Sequence, residues 1–282
     1  MEKEIVLITG TSSGFGLLSA IELAKNDFFV IATMRDLNKK DNLLAVAEKM
    51  GVQDKIEIFK LDVTKVEEIS SLREEVIKNY GKIDILINNA GYCQGGLTEI
   101  LEQEAWKEQF ETNFFSVVNL TKAFLPIMRK RKKGKIINIG SISGRVGFPG
   151  IAPYAASKFA LEGFSESLRL ELMPFNIKVS IVEAGSFKTE IWQKGLENVH
   201  TVKEKEYKPI INAIYNSAKQ TAKTADDPSK VIQLIVNICR SERPKLRYPI
   251  GKGISSFIIV KNLLPWALIE KLVHNSIFSK MK

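Results

Sequence analysis

Tyr154 and Lys158 stand four residues apart, a spacing that on a helix puts both side chains on one face, one turn apart. A phenol ordinarily gives up its proton near pH ~10, too high for efficient acid/base work at neutrality, and a neighbouring ammonium stabilises the phenolate. The pair therefore suits proton exchange with an oxygen atom. Ser141 lies thirteen residues upstream in the stretch GSISGRVGFPGIAPYAASKFALEG. Its hydroxyl could hold a carbonyl oxygen beside the phenol. Because Tyr and Lys at this spacing also arise by chance on amphipathic helices, the pair needs support from the rest of the chain.

A second group sits near the N-terminus, where the apolar run IVLIT leads straight into TGTSSGFG, Thr9 to Gly16. Gly10 permits a tight turn, Gly14 lets the backbone approach a pyrophosphate, and Gly16 lets the following helix pack on a sheet. A helix starting there offers free amides and a positive dipole end to phosphates. The group that meets an adenosine ribose should follow the second strand, where Met34, Arg35 and Asp36 stand. Arg35, with the hydroxyls of Ser12 and Ser13, could hold a 2′-phosphate, which favours NADP while leaving NAD open. Asp36 is counter-evidence unless it only caps the next helix.

These residues need a frame. Short β-branched runs at 5–9, 28–33, 56–61, 83–88, 135–139 and 177–182 read as buried strands, and amphipathic stretches at 15–25, 42–50, 66–80, 106–129 and 155–173 read as helices. Strands apolar throughout, alternating with helices, imply an α/β fold with a doubly wound parallel sheet in a three-layer α/β/α arrangement. No linker or repeat divides the chain, so residues 1–282 are expected to form a single domain. Past residue 182 the rhythm fails apart from a last strand near 247–250. Residues 191–282 are therefore expected to supply a substrate lid and a C-terminal helical extension. Ile191, Trp192, Ile210, Ile211 and Tyr215 give that lid an apolar character.

Composition excludes several other classes. Hydrophobic residues make up 45% and charged residues 26% of the 282, close to globular averages and unlike disordered or coiled-coil chains. The N-terminus MEKEIVLITG has acids where an export signal would carry a basic stretch. Lys261, Pro265, Glu270 and Lys271 interrupt the apolar segment 253–278, which falls short of the ~18 apolar residues of a spanning helix. Cys93 and Cys239 are expected to be reduced thiols of a cytoplasmic protein. His200 and His274 have no partners at metal-ligand spacing. The basic run RKRKKGK at 129–135 lacks interleaved aromatics and reads as a solvated turn rather than a nucleic-acid patch. The tail 263–278 carries apolar residues at helical spacing. Packing on the protein itself, or on a second subunit, competes there with an interfacial membrane contact.

Taken in order, TGTSSGFG, Asp62 of LDV, NNAG at 88–91, Asn113 inside a helix, Ser141 and YAASK resemble the short-chain dehydrogenase/reductase family. ATMRDL and RVGFPG are similar to its hydroxysteroid and retinol dehydrogenase-like branch. The resemblance implies a Rossmann fold and NADP-dependent interconversion of an alcohol with its ketone or aldehyde, as a homodimer or homotetramer. It implies Tyr154 as general acid/base, Lys158 as its modulator and ribose ligand, Ser141 as carbonyl holder and Asn113 as support for a water relay. It further implies cofactor contacts at Gly10, Thr11, Ser12, Ser13, Phe15, Gly16, Arg35, Asp62, Val63, Asn89, Ala90, Gly91, Gly185 and Thr189. One departure is Ala184-Gly185 where the family usually has Pro-Gly, which removes a φ constraint and predicts a freer loop over the nicotinamide. A non-catalytic nucleotide-binding scaffold on the same fold is the alternative, although it would be expected to have lost one of Ser141, Tyr154 and Lys158.

Overall fold

The computed structural model describes residues 3–189 and 205–278. In chain order the strands are β1 Ile5–Thr9, β2 Phe29–Met34, β3 Ile56–Lys60, β4 Ile85–Asn88, β5 Gly134–Ile139, β6 Ile177–Ala184 and β7 Arg247–Ile250. The helices are α1 Gly14–Lys25, α2 Lys40–Lys49, α3 Val66–Tyr80, α4 Gln103–Phe110, α5 Ser116–Arg131, α6 Ala152–Leu172, α7 Lys208–Thr224, α8 Ser229–Arg240, α9 Ile254–Leu263 and α10 Trp266–Phe278.

All seven strands pair in parallel in the order β3-β2-β1-β4-β5-β6-β7. Parallel neighbours require crossovers, and the helices that make them cover both faces. One face packs Leu17, Ile21, Leu43, Val231 and Ile235 against the sheet, the other Leu72, Val76, Leu120, Phe124 and Leu168. The strand order reverses beside β1, whose register runs to β2 on one side and β4 on the other. Such a switch point opens a crevice at the C-terminal strand ends.

Two elements depart from expectation. The helix read over 106–129 is interrupted: Glu111–Phe115 forms a π turn between α4 and α5. Part of the stretch read as lid and extension is core instead. Helix α8 buries Val231, Ile235 and Val236 on the α1 side of the sheet, beside β7, which extends the sheet at Arg247–Ile250 where a last strand was expected. An amphipathic helix following a break in the rhythm looks like a lid until its buried face finds the sheet. Over the loop before α6 lies α7, with Ile214 packed so closely on Gly150 that a Cβ there would fall 2.8 Å from it. Ile191, Trp192 and His200 lie outside the described residues.

The basic run at 129–135 is more than a solvated turn. Arg131 donates to the Ile83 carbonyl at 3.0 Å and pairs with buried Asp84 at 2.7 Å, while Asp84 accepts from the Ile5 amide at 2.9 Å. This clamp ties α5 to the starts of β1 and β4, at the edge away from the crevice.

Candidate active site

The glycine turn crosses from β1 to α1 at the switch point. Gly10 sits at φ +72° and lies so close to the strand-four loop that a Cβ would fall 2.9 Å from Ala90 Cα. A Cβ on Gly16 would fall 2.1 Å from the Gly10 carbonyl oxygen. Both positions therefore demand glycine. Ser13 stands at the N-cap of α1 in extended backbone and makes no side-chain capping bond, leaving the first amides of the helix unmatched by its hydroxyl. Thr189 faces this turn, 3.8 Å from where a Gly14 Cβ would be, and Phe15 meets Phe187 edge-on at 5.7 Å.

Not every expected cofactor residue presents its side chain to the crevice. Thr11 is fully buried and its hydroxyl donates to the Thr33 carbonyl at 3.1 Å. Asn89 turns its amide onto the Thr9 and Gly10 carbonyls at 2.7 and 3.1 Å. Thr9, not singled out in the sequence, answers by accepting from the amides of Asn89 and Ala90, both at 3.0 Å. Thr9 and Asn89 thus lock the glycine turn to the strand-four loop, while Thr11 ties it to the end of β2. A side chain's part in this was hidden because a turn residue and a ligand residue have the same polar type.

At the end of β2, Arg35 is exposed and Met34 buried. Asp36 accepts from the Asn38 amide at 3.0 Å and caps the short turn that follows. Beside Arg35 lies Asp62, bonded by the amide and hydroxyl of Thr64 at 3.0 and 2.7 Å, with Val63 buried next to it. Partial burial works against ionisation of Asp62, but those two bonds and the Arg35 charge hold its carboxyl below the ordinary value.

Ser141, Tyr154 and Lys158 converge at the C-terminal end of β5. Ser141 caps a short turn, its Oγ accepting from the Ser143 amide at 3.1 Å, and it also hydrogen-bonds the Tyr154 phenol. Pro at the first turn of α6 starts the helix that carries the other two. The Lys158 Nζ lies 5.7 Å from the centre of the Tyr154 ring and donates to the Ile139 carbonyl at 2.8 Å. Burial lowers the Lys158 ammonium to about 8. For Tyr154, burial pushes the phenol above its ordinary value and the Ser141 bond only partly opposes this. Burial, together with the neighbouring Cys93 thiol, is what sets the direction for Tyr154.

Cys93 is a neighbour of both, close enough to interact with each electrostatically. Burial raises its thiol to about 12, so it is a protonated, unreactive wall of the site.

Asn113 lies in the π turn and is buried. Its Oδ1 accepts from the Tyr92 amide at 3.1 Å and its Nδ2 donates to the Tyr92 carbonyl at 2.9 Å and the Ser157 Oγ at 3.4 Å. Gln109, four residues earlier and also missed, donates to that same carbonyl at 3.0 Å and accepts from the Gln94 amide at 2.7 Å. Together they fix the segment beyond Gly91, whose missing Cβ would fall 3.1 Å from Asn113 Oδ1. Spacing of four on one helix was the available signal for Gln109.

Behind the site Arg145 pairs with buried Glu183 at 2.7 Å, and Arg247 reaches Glu162 at 2.9 Å and Glu183 at 3.6 Å. Burial and the Glu183 charge raise the Glu162 carboxyl above its ordinary value. Arg145 follows the Ser141 turn and Glu183 precedes Gly185, so the pair joins the serine turn to the end of β6. The loop after Gly185, expected to be freer without proline, is held by bonds between Gly185 and Ile250, Lys188 and Asp226, and Asp226 and Ser186 at 2.8 to 3.0 Å.

The short chain dehydrogenase family profile matches residues 4–200. An uncharacterised oxidoreductase of Bacillus subtilis strain 168, YusZ, is 44% identical over 282 residues, covering 99% of this chain and 100% of that one. Retinol dehydrogenase 8 of Homo sapiens is 41% identical over 252 residues, 86% of this chain and 79% of that one. The structure of ElxO with NADP bound is 27% identical, covers 90% of this chain and 100% of that one, and superposes with a TM-score of 0.75. A profile spanning six of the seven strands and a full-length relative of this identity leave one conclusion. The chain belongs to the short-chain dehydrogenase family and is an oxidoreductase acting on CH–OH groups.

Proposed function

We propose that this enzyme interconverts a hydrophobic alcohol and its ketone or aldehyde with NADP as hydride carrier. The observation that carries the reading is the convergence of Ser141, Tyr154 and Lys158 at the strand edge onto which the glycine turn opens. The residues present suit the cofactor: the close approaches at Gly10 and Gly16 fold the turn tightly against the start of α1, Ser13 makes no capping bond to the first amides there, and Arg35 is exposed while Asp36 is engaged in capping. Gly14 to Gly16 amides and Ser13 would hold the pyrophosphate, Arg35 with Ser12 the 2′-phosphate, and Asp62 with Val63 the adenine. Ala90 and Gly91 would line the nicotinamide side, with Gly185 and Thr189 across from them. Bound there, the cofactor would give a hydride to the carbonyl carbon as NADPH and take one from the alcohol carbon as its oxidised form.

The chain's own residues handle the oxygen and the proton. Ser141 Oγ holds the substrate oxygen beside the phenol. Tyr154 Oη gives its proton to that oxygen during reduction and takes it back during oxidation. Lys158 Nζ, already fixed by the Ile139 carbonyl, steadies the phenolate and the ribose hydroxyls. Asn113 and Gln109 keep the chain at Tyr92 in place, and α7 excludes water from above.

The apolar substrate is supported by Ile211 and Ile214 on α7 and by the retinol dehydrogenase relative. We place residues 1–282 in one nucleotide-binding unit with 191–282 adding most of the lid and the helical extension, in a cytoplasmic setting suggested by the free thiols Cys93 and Cys239. Exposed Phe115, Phe159, Leu170 and Met173 at and beyond α5 and α6 suit a homodimer or homotetramer through those helices. A screen of NADPH against NADH oxidation over steroid, retinoid, quinone and aliphatic carbonyls tests the reading. Reduction of apolar carbonyls with NADPH supports it; absence of turnover on every class in either direction would favour the scaffold alternative.

A further inference from the structure

Helices α9 and α10 leave an apolar surface that no part of the described chain covers. Ile259, Val260, Leu263, Trp266, Leu268 and Leu272 are exposed by between 39% at Val260 and 76% at Leu263. Ile259 and Leu263 stand four apart on one helix, as do Leu268 and Leu272 on the next, and the helices join at Leu264 and Pro265, so each presents an apolar stripe and not scattered singles. Patches of this kind on soluble proteins mark a surface that meets something else. The inward side of α10 is already occupied: Ile269 is buried, and a cleft of about 210 Å³ lies between α10 and the loop at Gly147 and Pro149, with the half-exposed Trp266 on its rim.

Charge selects the occupant. Residues 252–282 hold five lysines (252, 261, 271, 280 and 282) and one acid, Glu270. That acid accepts a hydrogen bond from the Trp266 indole at 2.9 Å. A second copy meeting this face about a two-fold axis would set lysines against lysines with one engaged carboxylate on each side. A negatively charged bilayer meets both features at once, taking the apolar side chains among its acyl chains, the lysines at its headgroups and the indole at the boundary between them. We propose that α9 and α10 dock this protein on an anionic phospholipid surface, Leu263, Trp266 and Leu268 inserting and Lys261 and Lys271 meeting the headgroups. Docked in this way, the cleft beside Gly147 would open near the bilayer, where an apolar alcohol or carbonyl partitions. This last point rests on the reaction proposed above; the docking does not.

The test is sedimentation of the full chain with vesicles of phosphatidylcholine alone, and with about one third phosphatidylserine. Pelleting with the anionic vesicles, reduced severalfold between ~0.1 M and ~0.5 M salt, is expected, with a blue shift in tryptophan emission that Trp266→Phe abolishes. Leu263→Asp/Leu268→Asp should weaken binding at least about tenfold, with Tm unchanged because both side chains are exposed. Lys261→Glu/Lys271→Glu should erase the preference for anionic lipid. Failure of the parent chain to pellet, or equal pelleting of parent and Leu263→Asp/Leu268→Asp, overturns the proposal. So does a dimer in solution that this double variant converts to monomer without altering vesicle binding, which would assign the face to a second copy. None of these readouts involves turnover, so the docking can fail while the reaction stands, and the reverse.

Discussion

Lys158 Nζ lies 2.8 Å from the Ile139 carbonyl oxygen, donating to the last residue of the strand that leads into Ser141. The hydrogen bond makes one rigid unit of the helix bearing Tyr154 and the strand bearing Ser141. It also holds an ammonium where burial has brought its proton loss down to about 8.

That buried ammonium costs stability. A group whose folded value is depressed from 10.5 to about 8 binds fewer protons when folded, so its penalty is fully present below pH 8 and fades as pH rises toward 10.5. The penalty is on the order of 3 kcal/mol, against about 1 kcal/mol for the hydrogen bond to Ile139. Lys158→Met is therefore expected to be more stable than the parent at pH 7 in urea titrations, with the advantage shrinking above pH 8, and to be inactive. A less stable variant at pH 7 would show that the ammonium is better solvated than its burial implies.

Tyr154→Phe removes the proton donor and leaves the glycine turn untouched. Turnover should fall by at least about a hundredfold, with NADPH still quenching protein fluorescence at unchanged affinity. Retained turnover would mean that another group moves the proton.

Arg35→Ala should separate the two cofactors. Loss of a charge-assisted phosphate contact is expected to lower kcat/KM for NADPH by about ten- to a hundredfold and to leave NADH unaffected. Equal loss with both would place Arg35 at the adenine through its neighbour Asp62, not at a 2′-phosphate.

Arg145→Met strips buried Glu183 of its closer partner. Arg247 remains 3.6 Å from that carboxylate, so the loss should approach but not exceed the roughly 3 kcal/mol of a fully uncompensated buried charge, and Tm should fall. Arg145→Met/Glu183→Gln, with both charges gone, should recover part of the loss. No recovery would mean that packing of the arginine stem matters more than the pair.

The parts of this molecule legible in its sequence are those where one physical demand fixes the residue type. Strands buried on both faces carry unbroken apolar runs, so residues 5–8 of β1 and 85–87 of β4 stood out. A crossing 2.1 Å from where a side chain would begin admits only glycine, so Gly16 stood out too. Harder to read were places where one residue type serves two masters. Thr11 and Asn89 carry the polarity of ligand residues and spend it on the backbone. Helix α8 has the amphipathic pattern of a lid and the burial of a core layer. The π turn has no composition of its own. The charge network of Arg145, Glu183, Arg247 and Glu162 spans residues far apart in the chain and leaves no local spacing to notice.

The π turn at 111–115 is geometrically a helix with one residue too many. Each residue of an ordinary helix turns the chain by about 100°, so the surplus rotates everything after it by roughly that angle relative to α4. Deleting a single position between Glu111 and Phe115 would give an unbroken helix from Gln103 to Arg131. Asn113 would then sit on a regular turn in place of the π turn that now seats it beside Tyr92, and the apolar face of α5 would swing off the sheet. One codon's worth of chain thus sets the phase between two halves of a rod, and both the inner wall of the crevice and the seating of α5 depend on that phase.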